Sequence, residues 1–578
     1  MLKLVGAFGP NLPPLTFHQL REPLLKKEKN YTEDLMQPHK EVWAKKGCSF
    51  MSDGWTDRKE MTLINFLVNS PHGTVFLSSI DASDEIKTGA RMFEILNEEI
   101  KKIGPENVVQ IVTDNHASLK LAGKYLMDEY PHMYWTPCAA HCLNLILKDI
   151  GKLPFMKMTL SRAMELTGFI YSHGWVLRLM REQINARELL RPATTRFASS
   201  FLTLSSIHKQ KNNLRKMFCS EKWVENKRAR DPKGKAAERT VKMTNFWNNV
   251  VRVLKLTGPL VRVLKLVDNE RKPTMEFIYE AMDRAKEAIA KAFGDDASKY
   301  SEVFEMIDKR WNVQLHHPLH AAGFYLNPIF FYAHPNIQAD KEIMKGLWEV
   351  IQKLVPEQDQ DKISQELTLY KEAQDLFGMP IAIRNREKKS PADWWDSYGA
   401  AAPILQKLTI RILSLTCSSS GCERNWSTFE QIHTKKRNRL DHNRLQDLVF
   451  CKYNQALKER FDCRDIVDPI KLTDIDESNE WLLGQFGEGD NAENDLVDEE
   501  DDLRWGVVGE ATGVEENWGP NLRSTATARV RGSSSGIASS SRRREPDSED
   551  EDEFNEEEEE TEDEEPLQLD DDDDDEDD

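Results

Sequence analysis

The chain has 578 residues, of which 98 are acidic and 78 are basic, for a formal net charge of −20. The acid is concentrated, because residues 545–578 hold 25 Asp or Glu and no Lys or Arg. The rest of the chain holds 73 acidic and 78 basic residues, so the composition predicts a mildly basic body with an acidic tail.

Several classes of protein are disfavoured at once. No apolar run reaches the roughly 18 residues of a transmembrane helix, so we expect no membrane partner. The N-terminus lacks the basic start, long apolar middle and small-residue cleavage site of a signal peptide. Eight cysteines are too sparse for a disulfide scaffold, and we expect reduced thiols in a cytosolic or nuclear protein.

The first predicted elements are strands. A polar N-terminal extension over residues 1–45 shows a weak helical pattern near 17–25. The runs GCSFMSDGWTD from residue 47, MTLINFLVNS from 61 and TVFLSSID from 74 predict three antiparallel strands, and the SPHG turn at 70–73 joins the last two.

Helices and strands then alternate. Helical spacing covers 88–103, an apolar strand covers 108–113, and a helix follows over 115–128. A short extended piece at 134–137 precedes a helix at 139–149. The order β-β-β-α-β-α-β-α predicts a mixed α/β fold, and it is the order found in ribonuclease-H-like domains.

Two acidic residues follow predicted strands. Asp53 ends the first strand and Asp114 ends the strand at 108–113. Carboxylates at the ends of neighbouring strands meet at one edge of a sheet, where Mg²⁺ could bind them together with water and phosphate oxygens. The alternative is that each Asp caps the following turn or helix.

Three further residues are ambiguous on pattern alone. Glu423 stands beside an arginine at the start of a helix, where a solvated ion pair is the usual outcome. Cys138 and His141 have the spacing of two zinc ligands, but tetrahedral zinc needs four. A packed cysteine and a hydrogen-bonded histidine are the favoured interpretation of that pair.

Two basic segments and one set of apolar residues occur later in the chain. The segment Lys209–Lys242 carries 12 basic and 4 acidic residues, and Lys435–Arg439 reads KKRNR. Both could neutralise phosphates, or both could be solvated surface. An apolar set at helical spacing is more often core than interface; it comprises Trp394, Trp395, Leu405, Leu408, Ile412 and Leu413.

The ordered motifs resemble those of hAT-superfamily transposases, and the plant hAT-derived branch is the most similar. SDGWTD, VTDNHAS, CAAHCLNL and SGCERNWSTF with KKRNRL occur in the family's order, and the resemblance covers roughly residues 10–460. The segment Trp311–Pro328 resembles that branch's helical insertion. WWDSYG and the residues that follow it resemble the hAT C-terminal dimerisation region.

The resemblance implies a domain organisation. We expect a ribonuclease-H-like mixed sheet interrupted by a large all-α insertion and followed by a disordered acidic tail. The implied segments are an N-terminal extension (1–45), the first part of the core (46–200), the helical insertion (201–390), the dimerisation region that completes the core (391–460) and the tail (480–578).

The resemblance also implies site residues. Asp53, Asp114 and Glu423 fall on the family's catalytic, metal-binding carboxylates, with Mg²⁺ as the expected cofactor if the protein is active. Cys138 and His141 fall on a C-x-x-H pair that supports the active site. Arg196 and Phe197 fall on the family's T-R-W motif, which is associated with holding DNA. Together with the basic residues Lys435, Lys436 and Arg437, they are the expected DNA-binding residues. Phe197 stands where the family has Trp, and it can still stack on a base, although with a smaller face.

Relatives usually begin with a BED zinc finger. No such Cys/His quartet precedes Gly47, so we expect no zinc finger in this chain, through truncation at a gene-model boundary or loss in an ancestor. Recognition of specific DNA ends is therefore not expected from this polypeptide alone.

These expectations leave the function open between three hypotheses. The first is a dimerising, DNA-binding nuclear protein derived from an hAT transposase, with metal-dependent DNA cleavage and strand transfer retained. The second is a domesticated, non-catalytic module that associates with DNA or chromatin, with basic nuclear proteins as partners of the acidic tail. The third is a degenerate transposable element without a retained role.

Overall fold

The computed structural model describes residues 16–56, 62–83, 88–183, 188–190, 198–268, 273–432, 442–462, 496–498 and 503–504. Five residues predicted to bind DNA lie outside these ranges; they are Arg196, Phe197, Lys435, Lys436 and Arg437. Most of the predicted disordered tail lies outside them too. Within it, Leu496–Asp498 (β6) and Leu503–Arg504 (β7) form a small antiparallel pair.

The strands of the main sheet precede most of the helices in the chain. The main strands are β1 (Cys48–Thr56), β2 (Thr62–Ser70), β3 (Gly73–Asp81), β4 (Val108–Thr113) and β5 (Tyr134–Pro137). The helices up to β5 and just after it are α1 (Phe17–Gln19), α2 (Leu25–Lys46), α3 (Gly89–Ile103), α4 (Ala117–Glu129), α5 (Ala139–Gly151), α6 (Pro154–Ser172) and α7 (Gly174–Gln183).

The remaining helices are α8 (Ala198–Lys209), α9 (Lys211–Cys219), α10 (Glu221–Glu225), α11 (Pro232–Lys242), α12 (Thr244–Val267), α13 (Ile278–Ala292), α14 (Ser301–Arg310), α15 (Pro318–Leu326), α16 (Pro328–Ala333), α17 (Lys341–Leu354), α18 (Glu357–Lys371), α19 (Pro380–Asn385), α20 (Pro391–Tyr398), α21 (Pro403–Leu413), α22 (Ser420–Ile432) and α23 (His442–Asp462). Short 3₁₀ turns occur at Pro105–Asn107, Lys227–Ala229, Ala297–Lys299, Ile337–Ala339 and Asp375–Gly378, and π turns at Leu20–Leu24 and Trp311–Leu315.

The main sheet is mixed, with the strand order β3-β2-β1-β4-β5. β1 pairs antiparallel with β2, and β2 pairs antiparallel with β3. β4 is parallel to β1 on one side and to β5 on the other. The predicted mixed sheet is thus confirmed, with β1 at its centre.

Burial explains why the sheet forms where it does. All six residues of β4 are buried, as expected of a strand covered by helices on both faces. β2 is buried along nearly its whole length. Thr88 caps α3, because its side chain accepts a hydrogen bond from the backbone N–H of Arg91, and this fixes the start of the helix that follows β3.

The last helix, α23, covers the free edge of the sheet. It packs on β3, where the Asn454 amide donates to the carbonyl oxygen of Phe76 and accepts from its backbone N–H, both at 2.9 Å. A side chain here satisfies backbone groups that an edge strand would otherwise expose. α23 also contacts α2, through an ion pair of 2.7 Å between Lys29 and Asp447. The N-terminal and C-terminal parts of the described chain therefore meet at this edge.

The apolar set predicted as core is buried. Trp394 and Trp395 are fully inaccessible, and their indole N–H groups donate to the carbonyl oxygens of Ala382 and Leu326, each at 2.8 Å. Leu405 and Ile412 are fully buried as well. None of the helices in the described ranges is both long and apolar enough to cross a bilayer.

Gly47 turns the chain from α2 into β1. Its φ of 76° and ψ of 174° lie in a region that is essentially restricted to glycine. A Cβ at this position would stand 2.6 Å from Val109 Cγ2, in the neighbouring strand β4. The entry of β1 into the sheet therefore depends on the absence of a side chain.

We expect Gly47→Ala to lower the free energy of unfolding by about 1–3 kcal/mol more than Gly294→Ala. Gly294 also has a positive φ, of 62°, but a Cβ there would meet no atom within 4 Å. Chemical denaturation of the two variants in parallel measures the difference. Equal midpoints would contradict the close packing at Gly47.

Candidate carboxylate site

Parallel pairing of β1 and β4 places two of the predicted carboxylates side by side. Met51 is opposite Val112, and the same offset two residues further along brings Asp53 level with Asp114. Both side chains are half-buried. The backbone N–H of His116 donates to Asp114 Oδ1 at 3.0 Å, so Asp114 also shapes the turn into α4. Asp114 therefore makes the turn contact of the alternative interpretation, and its role as a metal ligand stays a prediction.

The third carboxylate arrives from far along the chain. Glu423 lies in the first turn of α22, and this helix packs against β1 and β2. The indole N–H of Trp426, one turn further on, donates to Asp53 Oδ2 at 3.0 Å. Asn65, opposite Asp53 in β2, donates from its amide to the carbonyl oxygen of Cys422 at 3.4 Å. These contacts hold the start of α22 against the strand that carries Asp53.

A buried glutamine joins this segment to the sheet. Gln110 lies in the middle of β4, and its amide nitrogen donates to Ser49 Oγ at 2.8 Å and to the carbonyl oxygen of Thr416. Its amide oxygen accepts from Thr136 Oγ1 at 3.2 Å. One side chain thus connects β1, β4, β5 and the residues just before α22. In the sequence, Gln110 stands out only as a polar residue within an apolar strand. That position does not identify the partners of its side chain.

Cys138 fixes the same segment from the other side. Its sulfur accepts from the backbone N–H of Ser419 at 3.3 Å and lies 3.5 Å from Ser418 Oγ. The backbone N–H of Ala139 donates to the carbonyl oxygen of Cys417 at 2.9 Å. His141 follows within the first turn of α5 and is half-buried. Cys138 of the predicted C-x-x-H pair therefore contacts the residues just before Glu423.

The charges at this edge influence one another. Burial raises the pKa of Asp53 to about 8; the negative charges of Glu423 and Asp114 add to the rise, while the hydrogen bond from Trp426 opposes it. Burial and the charge of Glu423 also raise the pKa of Cys138. Near neutral pH the thiol is therefore protonated, and Asp53 shares the edge with charges that disfavour its ionised form.

The nearest basic side chain on α22 is engaged elsewhere. Arg424 follows Glu423 directly, but it pairs with Asp268 at 2.9 Å and only 11% of its side chain is exposed. Arg424 is therefore part of a largely buried ion pair with Asp268, which the sequence did not indicate.

These residues suit a metal ion by their chemistry but not by their arrangement. Carboxylate oxygens are the ligands that Mg²⁺ prefers, and mutual repulsion between them is relieved by a cation. Within the described ranges, however, no group of three or more His, Cys, Asp or Glu side chains is arranged so that it could hold a metal ion. The donor chemistry therefore fits a hard divalent cation, while the three carboxylates do not form one ready ligand set.

The raised pKa of Asp53 gives a pH-dependent stability. Unfolding returns this group to its ordinary value of 3.8, so between about pH 4 and pH 8 the folded state holds a proton that the unfolded state releases. The stabilisation by that proton is complete below about pH 4 and is lost as the pH rises through about 8.

We expect the thermal midpoint of Asp53→Asn, relative to wild type, to rise between pH 5 and pH 8.5, by about 2–4 °C for each kcal/mol of relieved repulsion. Asp128→Asn, an exposed position on α4, serves as the control and should track wild type. Differential scanning calorimetry at both pH values measures the shift. Parallel behaviour of all three proteins would contradict the coupling.

The comparisons with known proteins divide the site between two families. Residues 15–166, which hold Asp53, Asp114, Cys138 and His141, match a domain of unknown function (DUF659). Residues 366–455, which hold Glu423, match the hAT family C-terminal dimerisation region. The second match begins 25 residues before the predicted start at 391. A search of curated proteins found no match. The two family matches support an hAT-family transposase-like protein.

Proposed function

We propose that this transposase-derived, self-associating protein binds DNA in the nucleus and retains divalent-metal-dependent cleavage and strand transfer at the edge formed by Asp53, Asp114 and Glu423. The fold we propose for this part of the chain is ribonuclease-H-like. The strand order β3-β2-β1-β4-β5 supports it, since antiparallel hairpins lead into parallel strands that alternate with helices.

The observation that carries the proposal is a contact between distant parts of the chain. Trp426, one turn after Glu423, donates to Asp53 Oδ2 at 3.0 Å, and the charges of Glu423 and Asp114 both raise the pKa of Asp53. Repulsion between acids at one sheet edge disfavours folding, so their proximity is favoured where a cation or a bound proton relieves it. Such an arrangement is typical of sites that bind cations or transfer protons.

The chain's own residues would position the cation. Asp53, Asp114 and Glu423 are the residues that would hold a divalent cation, with water and phosphate oxygens as the other ligands. When bound, the cation would stabilise charge on the attacking and leaving oxygens of a phosphodiester. Trp426 fixes Oδ2 of Asp53, and Asp53 would release its proton on binding the cation, because a metal ligand must be deprotonated.

A basic surface supports binding to the DNA backbone. The segment from α9 to α11 presents six exposed basic side chains that form no ion pair with a described residue; they are Lys216, Lys227, Arg230, Lys233, Lys235 and Arg239. Free cationic groups at this density bind phosphates without reading sequence. Other bases of the predicted stretch are engaged, such as Lys242 with Glu238 at 2.6 Å.

We expect the wild-type protein to nick DNA in Mg²⁺ or Mn²⁺, and Asp53→Asn, Asp114→Asn and Glu423→Gln each to lower the rate by about 100-fold or more. Glu98→Gln, at an exposed position of α3, is the matched control. A supercoiled-plasmid assay with and without chelator measures the rate. Nicking that survives in Asp53→Asn would remove the assignment.

Binding to DNA gives an independent expectation. The combined variant Lys227→Gln, Arg230→Gln and Lys233→Gln should flatten the dependence of log K on log salt by about 0.9 for each phosphate that the variant no longer neutralises. The control replaces three exposed lysines elsewhere by Gln, at Lys101, Lys309 and Lys407. Fluorescence anisotropy over a salt series measures both slopes. Identical slopes would place the DNA on another surface.

A second candidate function is a domesticated, non-catalytic module that binds DNA or chromatin. The observation in its favour is that, within the described ranges, no three His, Cys, Asp or Glu side chains are arranged so that they could hold a metal ion. The nicking assay separates the candidates, because salt-sensitive DNA binding without metal-dependent nicking in the wild-type protein would favour this one.

A further inference from the structure

A cavity of about 360 Å³ lies between strand β3 and helices α2, α3 and α23. Binding sites for small molecules commonly measure about 300–1,000 Å³, so this volume suits a compact ligand. The described residues that line the cavity do not include Asp53, Asp114 or Glu423. The cavity is therefore separate from the carboxylate site.

The walls of the cavity are largely apolar. Five side chains from the four elements form them; they are Met36 and Trp43 of α2, Leu77 of β3, Ile103 of α3 and Phe450 of α23. Leu77 is half-buried and the other four are at most 8% exposed. Since α2 and α23 are far apart in the sequence, these walls exist only in the folded chain. They suit an aliphatic or aromatic ligand group.

A buried carboxylate lies in the lining. Glu99 is only 2% exposed, although its side chain is acidic. Its Oε2 accepts from Ser78 Oγ at 3.1 Å, and its Oε1 accepts from the Lys102 ammonium at 2.6 Å. An ionised carboxylate has about four acceptor positions, so Glu99 keeps capacity for a further donor. A cationic ligand group would also compensate the burial of its charge.

Lys102 shows which chemical group Glu99 accepts. Its ammonium reaches the carboxylate from the next turn of α3, while 64% of its side chain is exposed. Ion pairs of solvent-exposed lysines contribute little to stability, because water competes for the ammonium. A ligand ammonium can therefore replace that of Lys102 at Glu99, with Lys102 turning into solvent.

A second charged group of opposite sign lines the cavity from α2. Lys40 is exposed and forms no ion pair with a residue in the described ranges. Trp43, one turn further on, has an indole N–H without a hydrogen-bond partner in the same part of the chain. Donors at this end of the cavity thus lack an acceptor, which a ligand carboxylate would supply to Lys40.

The charged lining as a whole is balanced. Glu33 and Glu99 are acidic, and Lys40 and Lys102 are basic. A ligand with only one kind of charge would meet one pair of like charges, whereas a ligand with both kinds is complementary to the whole lining. The chemistry therefore selects a compact zwitterion with an apolar group.

We propose that this cavity binds a free α-amino acid with a large apolar side chain. Its ammonium binds Glu99, its carboxylate binds Lys40, and its side chain packs against the apolar walls. The inference does not rest on DNA cleavage, because it uses other residues. Since the ligand contacts β3 and all three helices, it binds the folded chain and stabilises it by mass action.

Isothermal titration calorimetry of the full chain tests the ligand class. We expect L-phenylalanine to bind, and 2-phenylethylamine and 3-phenylpropionate to bind at least about tenfold more weakly, because each lacks one of the two charged groups. Glycine, which lacks the apolar group, should bind at least about tenfold more weakly as well. No binding of L-phenylalanine at millimolar concentration would overturn the proposal. Tighter binding of 2-phenylethylamine would overturn the zwitterion and indicate a site for organic cations.

Variants of the two charged residues test the orientation of the ligand. Lys40→Gln should weaken L-phenylalanine at least about tenfold and leave 2-phenylethylamine unchanged, because only the carboxylate contact is lost. Glu99→Gln should weaken both and leave 3-phenylpropionate unchanged. Lys45→Gln, at an exposed position of α2 outside the lining, is the matched control.

Thermal denaturation gives a second measurement of the same site. L-phenylalanine should raise the midpoint of the wild type and of Lys45→Gln, and raise that of Lys40→Gln at least about tenfold less effectively in concentration. Lys40 is exposed, so its replacement leaves the fold intact and the test does not depend on the buried Glu99. Affinity for L-phenylalanine that is unchanged in Lys40→Gln would place the ligand elsewhere and overturn the assignment.

Discussion

The arrangement of the site depends on one buried hydrogen-bond network, in which Gln110 ties the segment before α22 to the centre of the sheet. The Gln110 amide is fully buried and satisfied by partners in β1, in β5 and at Thr416. A buried amide without partners costs several times the net value of one hydrogen bond, so this network tolerates few alternative registers. Because Thr416 lies a few residues before Glu423, fixing the one also fixes the approach of the other.

The network keeps the site assembled although the charges around Asp53 repel one another. Asp53 lies where burial and two like charges disfavour its ionised form, and the hydrogen bonds from Trp426 and from the backbone of Gly54 compensate only in part. The packing of α22 on β1 and β2 must supply the remaining free energy. The cation that we propose for this edge would relieve the repulsion, because it favours the ionised form of each carboxylate.

Local pattern predicted the sheet and missed its long-range supports. The strand at Val108–Thr113 and the helix capped by Thr88 follow from burial, periodicity and capping, and each could be placed within a residue or two. The long helix α2 was missed, because Pro38 stands inside it and its apolar positions are few. Contacts with α23, such as the Lys29–Asp447 pair, stabilise α2, and these join residues more than 400 positions apart. No local rule identifies such partners.

The same limit applied to the candidate site. Asp53 and Asp114 could be proposed from their places after strands, whereas Glu423 on its own indicated only a solvated ion pair. The roles of Gln110 and Cys138 appear only when the segment before α22 is seen against the sheet. Contacts between buried polar groups that lie far apart in the sequence therefore determine where Glu423 lies, and no local pattern at residue 423 contains that information.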